Sequence, residues 1–274
     1  MIEVKNLTKY QGDALVLDGV TFKLNNGVIY GVLDPIGVHK AALLSILAGA
    51  RKPDGGTVKI NGFDTVRERV RALSCIGYLP KEALPYSDMT PEEYLLLVAE
   101  AKNVDFELSL RYTQDLIDQL DLRGRKRTLC KNLTFPENRR LCLAQALMGN
   151  ADILIADDPA YNLNERDARD MIDRVYTAAE GKTLFLGSSS LAVLRAVCDT
   201  ILLLSEGKLC GIYDPNDPVL SNLYDELCKK NRIATQDSDA TTVGIFKKKR
   251  GRGRTARPEP LRDGKYELID DDEK

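Results

Sequence analysis

The sequence predicts an α/β fold with a mainly parallel sheet, antiparallel strands at the N-terminus and an inserted helical block. Three observations point there. Short apolar runs that read as buried strands alternate with amphipathic helices, the pattern of a parallel sheet with helical crossovers. The first residues alternate apolar and polar side chains, as half-buried strands do. From about Pro91 to Met148 the apolar spacing is instead helical throughout.

Taken in order, Ile2 to Val4 alternates with charges, and Val20-Thr21-Phe22-Lys23-Leu24 alternates again before Asn25-Asn26-Gly27, a hairpin-type turn. Val28 to Leu33 is a short apolar run, and the helix after it spans Ala41 to Leu47 and ends at Gly49. Pro53-Asp54-Gly55-Gly56 leads into a strand at Thr57 to Ile60, and Asn61-Gly62 turns the chain once more. In the helical block, Leu116, Ile117 and Leu120, then Leu141, Ala144, Leu147 and Met148, mark one-sided faces. Ile153 to Ala156 is a second buried strand that runs into two aspartates. A helix from Glu165 to Ala179, a strand from Thr183 to Leu186, a helix from Leu191 to Val197 and a strand from Ile201 to Leu204 complete the pattern.

With 274 residues the chain is long enough for one large domain and a tail, and 43% hydrophobic with 29% charged residues is ordinary for a globular protein. A net charge of −2 supplies no global attraction to nucleic acid or membrane, so no nucleic-acid partner is expected. Cys75, Cys130, Cys142, Cys198, Cys210 and Cys228 form no CxxC pair and read as buried thiols of a reducing compartment. The N-terminus carries no signal-peptide pattern, and no apolar run reaches the roughly 18 residues of a membrane span. Residues 232–274 hold a basic run, Lys247 to Arg254, and an acidic one, Asp270 to Glu273. Neither can bury a core, so this tail is expected to be disordered.

A strand, a glycine-containing loop and a helix in that order raise the phosphate-binding loop, in which backbone N–H groups and a lysine hold phosphates and a hydroxyl holds Mg²⁺. The loop here is Asp34-Pro35-Ile36-Gly37-Val38-His39-Lys40-Ala41-Ala42. Its surroundings, Leu47-Ala48-Gly49, then Lys52 to Gly62, Ile76-Gly77-Tyr78-Leu79-Pro80 and Leu143-Ala144-Gln145-Ala146-Leu147, follow in a familiar order. With Ile2 to Lys9, Lys182-Thr183 and Cys198-Asp199, they make residues 1 to about 231 resemble the ATP-binding subunits of ABC transporters of exporter type. The resemblance implies a P-loop NTPase-like cassette with an antiparallel β subdomain, a helical insert at about 88–148, and ATP with Mg²⁺ as cofactors. It also implies partners: a membrane subunit and another nucleotide-binding subunit, in a homo- or heterodimer. The place implied is cytoplasmic, at the inner face of the membrane.

Against that pattern the departures fall on the chemistry. Asp34 stands at the first glycine and His39 at the last, while Ala41 replaces the hydroxyl that holds magnesium and Ala42 its neighbour. Of the family's loop residues Pro35, Gly37 and Lys40 remain, with Ile36 and Val38 between them. At ~4 Å and an effective dielectric of ~20, an Asp34 charge facing a phosphate is repelled by about 4 kcal/mol. Two orientations stay open: Asp34 pointing to water, or turned toward the Lys40 ammonium as a substitute anion. His39 reads as loop filler. The adenine-stacking aromatic corresponds to Gln11, or to Tyr10 if the loop register slips by one.

The residue expected to orient the attacking water is Lys81, which accepts no hydrogen bond when charged. The signature segment corresponds to Leu133-Thr134-Phe135-Pro136-Glu137, where Pro136 lacks an N–H to offer a phosphate. Asp157 keeps the magnesium-side carboxylate. Asp158 stands for the catalytic glutamate with one methylene fewer, a shortfall of roughly 1 Å that can cost ~10²-fold in rate. Asn164 replaces an aspartate, and Ser189 stands at the switch histidine. Phosphoryl transfer depends on positioning and electrostatics, so the expectation is a pseudo-ATPase subunit with a scaffolding or regulatory role. Two alternatives remain at this stage. One is a slow but active exporter ATPase using Lys40, Asp157 and Asp158. The other is a stand-alone adaptor that binds nucleic acid or anionic lipid through its basic tail.

Overall fold

The computed structural model describes residues 1–149 and 151–231, and the basic and acidic runs of the tail lie outside the described residues. In chain order the first elements are β1 (Ile2–Gln11), β2 (Ala14–Leu24), β3 (Ile29–Leu33), α1 (Val38–Leu47), β4 (Gly55–Ile60), β5 (Phe63–Asp64) and α2 (Arg69–Leu73). Then come β6 (Ile76–Leu79), α3 (Pro91–Ala101), α4 (Phe106–Gln119), α5 (Phe135–Leu147), β7 (Ile153–Asp157) and α6 (Glu165–Ala178). The last are β8 (Thr183–Ser188), α7 (Leu191–Val197), β9 (Thr200–Ser205), β10 (Lys208–Tyr213) and α8 (Pro218–Lys230). These form two compact units, residues 1–73 with 186–231, and Ser74–Phe185.

In the first unit, β1 and β2 form a hairpin closed at Gly12 and Asp13, with Gln11 opposite Ala14. The core face of β1 is Ile2, Val4 and Leu7 rather than a strict alternation, because Asn6 at φ 47° shifts the register by a bulge. The Asn25-Asn26-Gly27 turn does not close a hairpin as expected. It carries the chain from β2, in the antiparallel sheet β2-β1-β4-β5, to β3, which pairs in parallel with β9. Both central strands bury apolar side chains on two faces, so no neighbour of β2 on that side is needed. Asn61 (φ 51°) and Gly62 (φ 87°) do make a two-residue hairpin turn, joining Ile60 to Phe63.

The second unit pairs β6 with β7 in parallel, and residues 91–147 carry only helices and short 3₁₀ turns. A Cβ on Gly77 of β6 would fall 2.1 Å from the Ala146 carbonyl, so glycine lets α5 lie directly on the strand. That close approach sets where the start of α5 delivers its side chains. All six cysteines are free, but Cys210 is exposed on β10 and Cys75 half-buried, so the buried-thiol reading holds for four. β10 ends the sheet order and leaves one face to solvent. Among the described residues no helix is long and apolar enough to cross a membrane.

Candidate functional site

In the first unit, helix α1 begins at Val38, three residues earlier than the apolar pattern predicts. Gly37 is its N-cap at φ 90°, a backbone that strains any residue with a Cβ. A Cβ there would also lie 3.6 Å from Ser189 Oγ and 3.7 Å from Lys40 Nζ, so the structure brings the loop lysine and the switch-position serine to one spot. The Tyr224 hydroxyl of α8 donates to the Ser189 carbonyl at 2.9 Å and steadies it. Pro35, Lys40 and Ala42 are buried, Ala41 is half-buried, and Ile36 and Val38 are exposed at the loop tip.

Asp34 is fully buried and turns inward. Its Oδ1 accepts the Ile36 N–H at 3.0 Å, and its Oδ2 accepts those of His39 at 2.9 Å and Lys40 at 3.1 Å. The last two are orphan donors of the first turn of α1, which carries no acidic residue of its own and no side-chain cap. A carboxylate therefore sits at a helix N-terminus in the manner of a bound anion.

His39 is not filler: its Nδ1 lies 3.3 Å from Asp34 Oδ2. The contact falls outside strict hydrogen-bond alignment, yet the polar pairing with Asp34 is the largest influence on the imidazole, ahead of the bare attraction of charges. Burial by itself would raise the Asp34 carboxyl, but His39 and the loop N–H groups outweigh it and hold the group below the usual carboxylate range. The Asp34 carboxylate in turn holds the imidazole above its ordinary value, against burial and with help from Glu206.

These directions define a pH dependence. The contribution of His39 to stability is complete below about pH 6.5 and is lost as pH rises through its higher folded value. That of Asp34 is complete above about pH 3.9 and is lost as pH falls through its lower folded value. The melting-temperature gap between the parent chain and Asp34→Asn should narrow as pH rises from about 6 to about 9. A gap that stays constant over that window would contradict the pairing.

At the end of the β1–β2 hairpin, Tyr10 and Gln11 are both exposed, and the Tyr10 N–H donates to Asp54 at 2.7 Å. Either ring or amide therefore faces solvent, where the family resemblance implies an adenine-stacking side chain.

The second unit holds the acidic residues. Asp157 ends β7 and is buried, and Asp158 follows in a left-handed backbone at φ 41°, a conformation aspartate tolerates better than most side chains. Lys81 is not simply solvated. Its ammonium lies 3.8 Å from Asp158 Oδ2 and 4.2 Å from the centroid of the Tyr161 ring. A cation is thus seated between a carboxylate and an aromatic face.

Arg139 of α5 is fully buried beneath this loop. It donates to the carbonyls of Pro80 (2.9 Å), Lys81 (3.0 Å) and Pro159 (3.4 Å), tying the Lys81 segment to the loop after Asp158. Burial lowers the guanidinium's proton affinity while Asp157 and Asp158 pull it back up, and it stays charged. Sequence reasoning placed Arg139 only as part of a helix and passed over Tyr161. The available signal for Arg139 was its position four residues before Leu143 and seven before Ala146, both buried.

At the start of α5, Leu133 is buried and Thr134 is the N-cap of a capping box with Glu137. The Glu137 carboxylate accepts the Thr134 N–H at 2.8 Å and the Arg125 Nε–H at 2.9 Å. Phe135 and Pro136 fill the first turn. The positive end of α5 is therefore satisfied by the chain's own glutamate, and Pro136 adds no donor. Asn164 caps α6 by accepting the Asp167 N–H at 3.0 Å.

The residues present do not fit a magnesium ion. Mg²⁺ wants near-octahedral oxygen, commonly one or two carboxylates completed by phosphates and water. In the second unit the Asp158 carboxylate faces an ammonium and a buried guanidinium acts on Asp157.

A family profile described as ABC transporter matches residues 17–161. An uncharacterized ABC transporter ATP-binding protein of Methanocaldococcus jannaschii is 31% identical over 208 residues, 76% of this chain and 75% of that protein. The Nod factor export ATP-binding protein I of Burkholderia orbicola is 29% identical over 208 residues, covering 76% of this chain and 68% of its own length. A dimeric bacterial ABC transporter cassette shares the fold, with a TM-score of 0.70 at 22% identity over 79% of this chain and 100% of that one.

Proposed function

This chain belongs to the ABC transporter family as an ATP-binding subunit, and from that premise we propose that it is a subunit that does not turn over ATP. It holds or regulates a transporter complex rather than driving it. The observation that carries this reading is the Lys81 ammonium against Asp158. A general base must face the water it deprotonates, and a cation 3.8 Å away, held over Tyr161, takes that water's place in space. Ala41, Ser189 and Pro136 support the reading from the side of metal, switch and partner contacts.

The partners proposed are a membrane subunit and a second nucleotide-binding subunit, docked at the inner face of the membrane. Relatives named for Nod factor export and for linearmycin resistance support an export or resistance role for that transporter. A second reading, slow turnover, is favoured by the retention of buried Lys40 and Asp157. The test is phosphate release by the purified chain against a Lys40→Ala control. Equal rates are expected. A rate clearly above the control, and abolished with Lys40, would establish the slow enzyme instead.

A further inference from the structure

We propose that Asp34 is a resident ligand of the phosphate nest, which a polyphosphate must displace, and that His39 is the cation that exchanges the Asp34 carboxylate for a phosphate oxygen. This rests on the reading of residues 34–42 as a phosphate loop.

The physical case begins with the donors. The N–H groups of Ile36, His39 and Lys40 converge on one carboxylate, and two of them belong to the first turn of α1. A phosphate bound at this helix end would need those same donors, and they cannot serve two anions at once. The competitor is also intramolecular. Asp34 is tethered within six residues of every donor, so it competes as an intramolecular ligand whose effective concentration a free anion must overcome. Because Asp34 is fully buried, displacement requires the carboxylate to leave the nest for water.

His39 makes the exchange favourable in charge. Asp34 faces it from the loop and Glu206 acts on it from the β9–β10 turn, while Lys230 of α8 pairs with Glu206 and Lys208 also acts on that carboxylate. Once Asp34 leaves, the imidazole beside the emptied nest favours the most highly charged anion available, whose charge takes over from Asp34 in keeping it protonated. The class of ligand is therefore a polyphosphate, taken without a metal ion, since the loop's magnesium hydroxyl is Ala41.

His39 is the only histidine in the chain, so its imidazole resonance reports the exchange directly. The full-length protein would be titrated by NMR with pyrophosphate and with ATP, each in the presence of EDTA, alongside Asp34→Ala. Asp34→Asn serves as a second variant that keeps the side chain's size but removes the charge and turns one of its two acceptor oxygens into a donor. In the parent chain the histidine should titrate above its ordinary range and ignore millimolar ligand. In both variants its midpoint should fall, and pyrophosphate should move the resonance with an affinity at least ~10-fold tighter than for the parent. A parent chain that binds pyrophosphate as tightly as the variants overturns the resident ligand while leaving the phosphate loop intact. Variants whose histidine midpoint falls but which gain no anion binding overturn the phosphate-loop reading itself, and the proposal with it. A parent histidine that titrates normally overturns the pairing.

Discussion

Replacing Arg139 by leucine is expected to destabilise the Ser74–Phe185 unit by about 3–5 kcal/mol, the largest stability effect at any single position near the site. Leucine has nearly the right bulk for α5 to stay on β6, so the loss is not a cavity. It comes from three carbonyls, of Pro80, Lys81 and Pro159, that lose their donor at once. A buried acceptor left unmade costs about 1–3 kcal/mol. Asp157, also buried, would lose the positive charge that acts in its neighbourhood. Arg139→Lys should lose less, because an ammonium keeps the charge and one or two of the bonds but cannot fork to all three. Urea unfolding of the three chains measures this. A loss below about 1 kcal/mol for the leucine variant would mean that the carbonyls find water and that Arg139 is not the tie.

Asp158→Glu, the change that restores the family's own residue, is expected to leave phosphate release within about 2-fold of the parent. The longer side chain recovers the missing methylene, but it extends toward the ammonium of Lys81 rather than toward a water. The double variant Asp158→Glu with Lys81→Gln removes that cation and is still expected to fail. Position 41 remains alanine and position 189 serine, so Lys40 and Asp157 would still act without the hydroxyl and the histidine that the family pattern places beside them. A rise of more than about 10-fold from Asp158→Glu alone would show that the remaining groups form a working site. It would also show that the Lys81 contact yields to bound nucleotide.

Much of this protein was written locally. The strands β3, β7 and β8 are short, mainly apolar runs buried on both faces, and their alternation with α1, α6 and α7 follows from periodicity alone. Turn chemistry behaved likewise where both central residues needed positive φ, as at Asn61-Gly62. Asn25-Asn26-Gly27 has the same composition but joins strands of different sheets, because the hydrogen-bonding partner of β3 is β9, about 170 residues away. No local signal carries that information.

The sequence by itself determined the α/β fold and the family, and it carries the proposed departures of the phosphate loop, signature and acidic strand from the family's chemistry. Those properties depend on residue type and spacing, which a linear string records in full. Only the tertiary structure decided where the departing side chains point. It turned Asp34 inward onto the N-terminus of α1 and set His39 against it. It seated Lys81 over Tyr161 and Asp158, and it buried Arg139 under three carbonyls. The physical reason is common to all four. A charged side chain goes wherever desolvation is best compensated, and the compensating groups come from backbone turns and neighbouring elements whose positions exist only once the chain has folded.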